Sequence, residues 1–150
     1  MDTWGPATKT SHGNQYVLTI VGAFTHLCMF VPIPPINSEV VARAFYDNWI
    51  CHHDVPEVIA TDRGTEFRKH MQTLMSMHGI RHIQTMPRSP QGNGVAERVH
   101  RFLKASLLAI TAGRARDWDK HLPEICRHYN ATDHAGTGYS PFYLLSLIHI

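Results

Sequence analysis

Two hydrophobic periodicities alternate along this chain. Residues 15–21 (Gln-Tyr-Val-Leu-Thr-Ile-Val) are β-branched and aromatic, and predict a strand. Residues 23–32 predict its antiparallel partner after a short turn, stopped by Pro32, Pro34 and Pro35. Ser38 is a suitable N-cap for a helix over 39–52, where Val40, Val41, Ala44, Phe45 and Trp49 form an apolar stripe. Val55-Pro56 breaks it. Residues 58–61 read as a short buried strand, 65–78 as a helix ended by Gly79, and 81–85 as another strand. A Pro/Gly/Asn loop, Met86–Asn93, leads to a helix over 94–111 that stops near Gly113, and a last helix spans 117–130.

With a further strand at the start, the order is three strands, helix, strand, helix, strand, helices. That interleaving predicts an α/β domain: a mixed sheet with helices on both faces. A chain of 150 residues suits one domain with a real core. Internal repeats and low-complexity tracts are lacking.

Composition narrows the function only slightly. Apolar residues make up 43% and charged residues 17%, an ordinary globular balance. No stretch has the length of a membrane span, and no charged and apolar leader opens the chain. Three cysteines, Cys28, Cys51 and Cys126, are an odd number at wide spacing, which argues against a disulfide framework. The net charge of +2 says little about nucleic acid. Its distribution says more: beyond Glu97, seven Arg and Lys residues (98, 101, 104, 114, 116, 120 and 127) oppose Glu97, Asp117, Asp119 and Glu124. Twelve histidines invite a metal reading, but Cys51-His52-His53 lacks the paired spacing of a structural zinc site.

Three acids stand in informative contexts. Asp62 ends the apolar run Val58-Ile59-Ala60-Thr61 and precedes Arg63-Gly64, as a strand delivering a carboxylate at its C-terminal end. Glu97 lies on the first turn of the helix after Pro90-Gln91-Gly92-Asn93-Gly94. Asp2 precedes Trp4-Gly5-Pro6. Each has an ordinary alternative: Asp62 as a turn residue, Glu97 as a surface charge favoured by the helix dipole, Asp2 as part of a frayed end. On the long helix, Glu97, Arg101 and Lys104 fall at i, i+4, i+7 on one face. Val95, Val99, Phe102, Ser106 and Ile110 fall roughly opposite, the face expected to pack on the sheet. A surface helix with incidental charge pairing gives the same pattern.

Taken jointly, these motifs resemble the catalytic core of retroviral and retrotransposon integrases, nearest to gypsy-type long-terminal-repeat elements. The likeness runs from residue 2 to about 144. It includes Gly13-Asn14-Gln15-Tyr16-Val17-Leu18, Phe24-Thr25, Asp62-Arg63-Gly64-Thr65-Glu66-Phe67, Pro90-Gln91-Gly92-Asn93-Gly94 with Glu97-Arg98, and Thr137-Gly138-Tyr139-Ser140-Pro141. The resemblance implies a ribonuclease-H-like fold and a polynucleotidyl transferase that trims element DNA 3′ ends and joins them to target DNA. It implies Asp2, Asp62 and Glu97 as catalytic metal ligands for two Mg²⁺ ions, with Mn²⁺ able to substitute and Asp2 bridging both. Carboxylate oxygens suit such a hard ion, and a metal pair can stabilise both the attacking and the leaving oxygen. It implies Gln91, Asn93, Arg101 and Lys104 as DNA contacts. Element ends and target DNA are then the partners, with homo-oligomerisation of the full-length parent, no membrane, and a nuclear or cytoplasmic-particle location rather than secretion. The competing readings are a ribonuclease-H-like nuclease, an inactive fragment, and a domesticated nucleic-acid-binding domain.

The chain also departs from the family pattern. Thirty-four residues separate Asp62 from Glu97, one fewer than usual, and the gap falls between Phe67 and Gly79. Arg88-Ser89-Pro90 replaces an aromatic-His-Pro triplet, and Gly22 replaces an acid, which is expected to loosen the turn there. Met1 falls inside the expected first strand, and Leu145–Ile150 leave the pattern and can be encoded by a transposase-end adaptor sequence. The expected division is an integrase core over 1–144, truncated in its first strand, and a non-native tail over 145–150.

Overall fold

The computed structural model describes residues 1–85, 90–111 and 116–148, excluding the side chains of 90–94, 96 and 148. Its central strand is β2 (Tyr16–Val21), in which Val17, Leu18, Thr19 and Ile20 are all buried. Burial of successive residues means that both faces of the strand are covered. β2 pairs antiparallel with β1 (Asp2–Trp4) on one side and β3 (Cys28–Ile33) on the other. The register sets Asp2 opposite Thr19 and Trp4 opposite Val17. Gly5 after β1 adopts φ +144°, and a Cβ there would meet the Tyr16 ring at 2.6 Å, so the turn needs glycine.

A second ladder is parallel, β4 (Val58–Thr61) with β5 (Arg81–Gln84). The single mixed sheet expected from sequence is thus two ladders, and the Met1 α-amino group joins them by donating to the Ala60 carbonyl at 2.8 Å. β1 pairs with β2 over only three residues, which limits how far it can knit the ladders together.

Helices cover both faces. On one, α1 (Ser38–Phe45) and α2 (His70–Met77) bury Val41, Ala42, Phe45, Met71 and Met75 against Leu18, Ile20, Val31, Ile33 and Ile59. On the other, α3 (Pro90–Thr111) and α4 (Trp118–Ala131) bury Val99, Leu103, Leu107, Trp118, Leu122, Ile125 and Tyr129 against Val17, Cys28 and Phe30. Alternate residues of β2 and β3 therefore feed two cores. A final helix, α5 (Pro141–Ile148), begins at the Ser140-Pro141 motif and continues into the stretch expected to be a non-native tail.

Several boundaries differ from expectation for local physical reasons. β3 begins at Cys28, because residues 22–27 form the connecting turn, where His26 takes φ +57°. That turn is closed despite Gly22: Gly22 N donates to the Leu27 carbonyl at 2.8 Å and His26 N to the Gly22 carbonyl at 3.0 Å. The α1 cap is Asn37, not Ser38; Asn37 is extended and its side chain accepts from Val40 N at 2.8 Å. The Ser38 hydroxyl instead donates to the Arg68 carbonyl, tying α1 to the start of α2. Past Phe45 the helix widens into a π-helical segment, Tyr46–Ile50. The helix expected over 65–78 is split: Thr65–Phe67 is a 3₁₀ turn, and Lys69 at φ +45° breaks it from α2. α3 starts at Pro90, a favoured first helical residue, so Pro90–Asn93 are helical where a loop was expected. Residues 86–89 lie outside the described part.

The segment between β1 and β2 is fastened to the start of α4. Trp118 Nε1 donates to the Thr8 carbonyl at 2.7 Å. Asp119 Oδ2 accepts from the Thr10 hydroxyl at 3.0 Å and the Asn14 amide at 2.9 Å, and lies 3.0 Å from His12 Nδ1. Burial pushes the Asp119 pKa up, but these three hydrogen bonds outweigh it and hold the carboxyl below its usual range.

Candidate active site

The first acid is placed by β1. Asp2 projects beside Thr19, about one-third exposed, and its Oδ1 accepts from Thr3 N at 2.8 Å. The neighbouring Met1 N reaches Ala60, two residues before Asp62, so the ends of β1 and β4 come together. The end of β4 is well secured. Thr61 is buried; its hydroxyl donates to the Asp62 carbonyl at 2.7 Å and lies 2.8 Å from His82 Nε2. Thr85 returns two hydrogen bonds to the Thr61 carbonyl, at 2.8 Å from N and 3.1 Å from Oγ1. Asp62 follows, exposed, with Oδ1 accepting from Gly64 N at 2.9 Å, an Asx turn that aims the carboxylate outward.

Asp2 lies close enough to Asp62 for that charge to bear on its own ionisation. Burial is the largest influence on Asp2 and raises its pKa; Asp62 raises it further, while the Thr3 hydrogen bond and His100 oppose the shift.

The third acid comes from α3. Glu97, Arg101 and Lys104 are all exposed. The core stripe of this helix is Val99, Leu103 and Leu107, with Val95 and Phe102 partly buried beside it. Ile110, expected on the packed face, is 39% exposed, because the i, i+4, i+8 row from Val99 is the one that meets β2 and α4. Among the described residues, no three His, Cys, Asp or Glu side chains are gathered tightly enough to hold a metal ion. The structure thus brings Asp2 and Asp62 together and leaves Glu97 outside a three-ligand cluster. The side chains of Gln91 and Asn93 lie outside the described part.

Two neighbours escaped the sequence reading. His100, one turn after Glu97, sets Nδ1 3.8 Å from Asp2 Oδ2 and Nε2 3.2 Å from the Thr19 hydroxyl. Burial lowers its pKa, and Asp2 pulls the other way. Glu66 accepts from the Thr3 hydroxyl at 3.0 Å, which links the 3₁₀ turn after Asp62 back to β1. The i, i+3 spacing from Glu97 was a usable signal for His100; nothing local in sequence marks Glu66. An apolar cavity of about 950 Å³, walled by Ile20, Phe45, Trp49, Val58 and Ile59, contains none of the three acids.

The comparisons with known proteins bear on this frame. Residues 78–141 match the family model described as "Integrase core domain". The catalytic core of BIV integrase superposes with a TM-score of 0.73 over 99% of this chain and 95% of that one, at 22% identity. The HTLV-2 integrase catalytic core, solved with magnesium in a trimeric form, superposes with a TM-score of 0.74 over 95% of this chain and 92% of that one, at 16% identity. In sequence, the Retrovirus-related Pol polyprotein from transposon 412 of Drosophila melanogaster is 29% identical over 146 residues, 97% of this chain. The chain spans 12% of that polyprotein's length. The chain thus has the α/β fold of integrase catalytic cores, and its sequence is similar to the integrase core family over residues 78–141 and to a retrotransposon Pol polyprotein over most of its length.

Proposed function

We propose that this domain is the catalytic core of a DNA-integrating polynucleotidyl transferase from a retroelement, acting on element 3′ ends and joining them to target DNA. The observation that carries the reading is the approach of Asp2 and Asp62 at the joined ends of β1 and β4, beneath the helix that bears Glu97. We assign Asp2, Asp62 and Glu97 as ligands for two Mg²⁺ ions. The donor chemistry fits: all are hard carboxylate oxygens, and the Met1–Ala60 hydrogen bond brings the strands bearing Asp2 and Asp62 together. Glu97 stands one turn before His100, which faces Asp2, so an inward turn of its exposed side chain is what completes the set. When bound, the metal pair supplies an activated oxygen nucleophile and charge stabilisation on the leaving oxygen.

The chain's own residues do the rest. The Asx turn at Asp62 and the Thr3 hydrogen bond at Asp2 restrict how these carboxylates point. Arg101 and Lys104, exposed on the helix that carries Glu97, are placed to neutralise backbone phosphates near the reacting end. Gln91 and Asn93, at the start of the same helix, are assigned to the DNA terminus. Oligomerisation of the parent polypeptide belongs to this reading, in line with the trimeric form of the HTLV-2 core. Among the described residues, no helix is long and apolar enough to cross a membrane.

The test is Mg²⁺-dependent joining of an oligonucleotide matching the element end to a second duplex. Joining that is lost in Glu97→Gln and Asp62→Asn while the fold is retained supports the assignment. Joining that persists in both variants overturns it.

A further inference from the structure

His100 is not accounted for by the three-acid site, yet both its ring nitrogens have partners. Nε2 lies 3.2 Å from the hydroxyl of Thr19, which is 1% exposed and fixed in the middle of β2. Nδ1 lies 3.8 Å from Asp2 Oδ2, a charge-contact distance. Thr19 and Asp2 are themselves cross-strand partners. The imidazole therefore stands over one rung of the β1–β2 ladder. It is also half-buried, with 20% of its side chain exposed, so its rotamers are limited. The tautomer that suits both neighbours carries the proton on Nδ1, toward Asp2, and accepts the Thr19 hydroxyl proton at Nε2. Asp2 then has a partner on each side: Oδ1 accepts from Thr3 N at 2.8 Å, and Oδ2 is faced by His100 Nδ1 at 3.8 Å, just beyond hydrogen-bond distance.

We propose that His100 is a positioning residue: anchored by Thr19, it fixes the orientation of the Asp2 carboxylate for the metal pair. The proposal rests on the assignment of Asp2 as a metal ligand. Groups that orient a metal-binding carboxylate from behind change metal affinity by about 10- to 100-fold when removed. His100 also rides on α3, one turn from Glu97, so the same contact sets that helix against the strand bearing Asp2.

Two substitutions separate positioning from simple packing. The amide nitrogen of Asn overlays imidazole Nδ1, so His100→Asn can still face Asp2. The amide nitrogen of Gln overlays Nε2, so His100→Gln can reach Thr19 but not Asp2. The experiment titrates MgCl₂ alone into the intact chain and its variants, reads the melting temperature, and takes the Mg²⁺ concentration giving half-maximal stabilisation. The expected result is a midpoint raised about tenfold in His100→Gln and His100→Ala, and kept within about twofold of the original in His100→Asn. If the variants lower the metal-free melting temperature but share the original midpoint, His100 is a packing residue and the proposal falls. If Asn and Gln shift the midpoint equally, orientation of Asp2 is not its role and the proposal also falls. If the unsubstituted chain shows no Mg²⁺-dependent stabilisation, the metal-site assignment fails, and the role of His100 with it. Should the Ala variant not fold, the Asn–Gln contrast decides alone.

Discussion

Asn130 clasps Cys28: the Cys28 N–H donates to Asn130 Oδ1 at 2.8 Å, and Asn130 Nδ2 donates to the Cys28 carbonyl at 2.8 Å. The carboxamide thus stands in for a neighbouring strand at the start of β3, the outer strand of its ladder. Asn130 is 3% exposed, so water cannot replace these bonds. Asn130→Ala is expected to cost about 1–3 kcal/mol, since it leaves the buried Cys28 N–H unmet and its carbonyl with only the Cys126 thiol as donor, at 3.0 Å. Urea unfolding followed by circular dichroism measures the loss. A change under about 0.5 kcal/mol, the range of an ordinary surface substitution, would show that the clasp is energetically idle.

Asp119 makes a pH-dependent contribution. Its folded pKa lies below the unfolded value, near 3.9 for an ordinary Asp. The stability it contributes is therefore present above that value and is lost as the pH falls through the folded one. Asp119→Asn is expected to lower stability at pH 7 and to flatten the fall in stability on the acid side. Thermal melts between pH 7 and pH 3 test this. Parallel acid limbs for the two proteins would assign acid sensitivity to other groups.

The packed row of α3 distinguishes two leucines that look alike in sequence. Leu103 is fully buried, and Leu103→Ala is expected to cost about 2–5 kcal/mol through lost burial and the cavity left behind. Leu108 is 69% exposed, and Leu108→Ala should fall within about 0.5 kcal/mol of the original. Equal effects in equilibrium unfolding would mean that α3 is rotated from the orientation described.

Asp62→Asn keeps the size of the side chain and the Oδ1 acceptor for Gly64, but removes a charge. Mg²⁺-dependent joining should fall by at least about 100-fold, the cost of a misplaced reacting group, with little change in melting temperature. Joining assayed beside a melting curve separates chemistry from folding. An unfolded Asp62→Asn protein would place the residue in the scaffold instead.

Much of this was legible in sequence because it is local. The β2 run, the α1 stripe and the strand leading to Asp62 each declare themselves by periodicity, and the motifs around Asp62 and Glu97 carried the family resemblance. What was not legible depends on tertiary partners. Ser38 and Asn37 are both good caps, and only the approach of Arg68 decides which one caps α1. The split at Lys69 reflects a positive φ that no glycine announces. Ile110 and Leu107 are equally apolar, and the neighbouring strand selects between them. Glu66 and His100 acquire meaning only once β1 lies beside them.

The position of β2 has a kinetic consequence. It is hydrogen-bonded along both edges, and its side chains belong to both cores. No partial opening that frees only one face can release it. Its amide protons bonded to β3 should exchange with solvent deuterium only when the whole domain unfolds, whereas β1, paired over three residues, can detach in smaller fluctuations and free the β2 amides that face it. The strand that carries Asp2 is then the fast-exchanging partner of the slowest-exchanging strand, and the proposed site straddles that boundary.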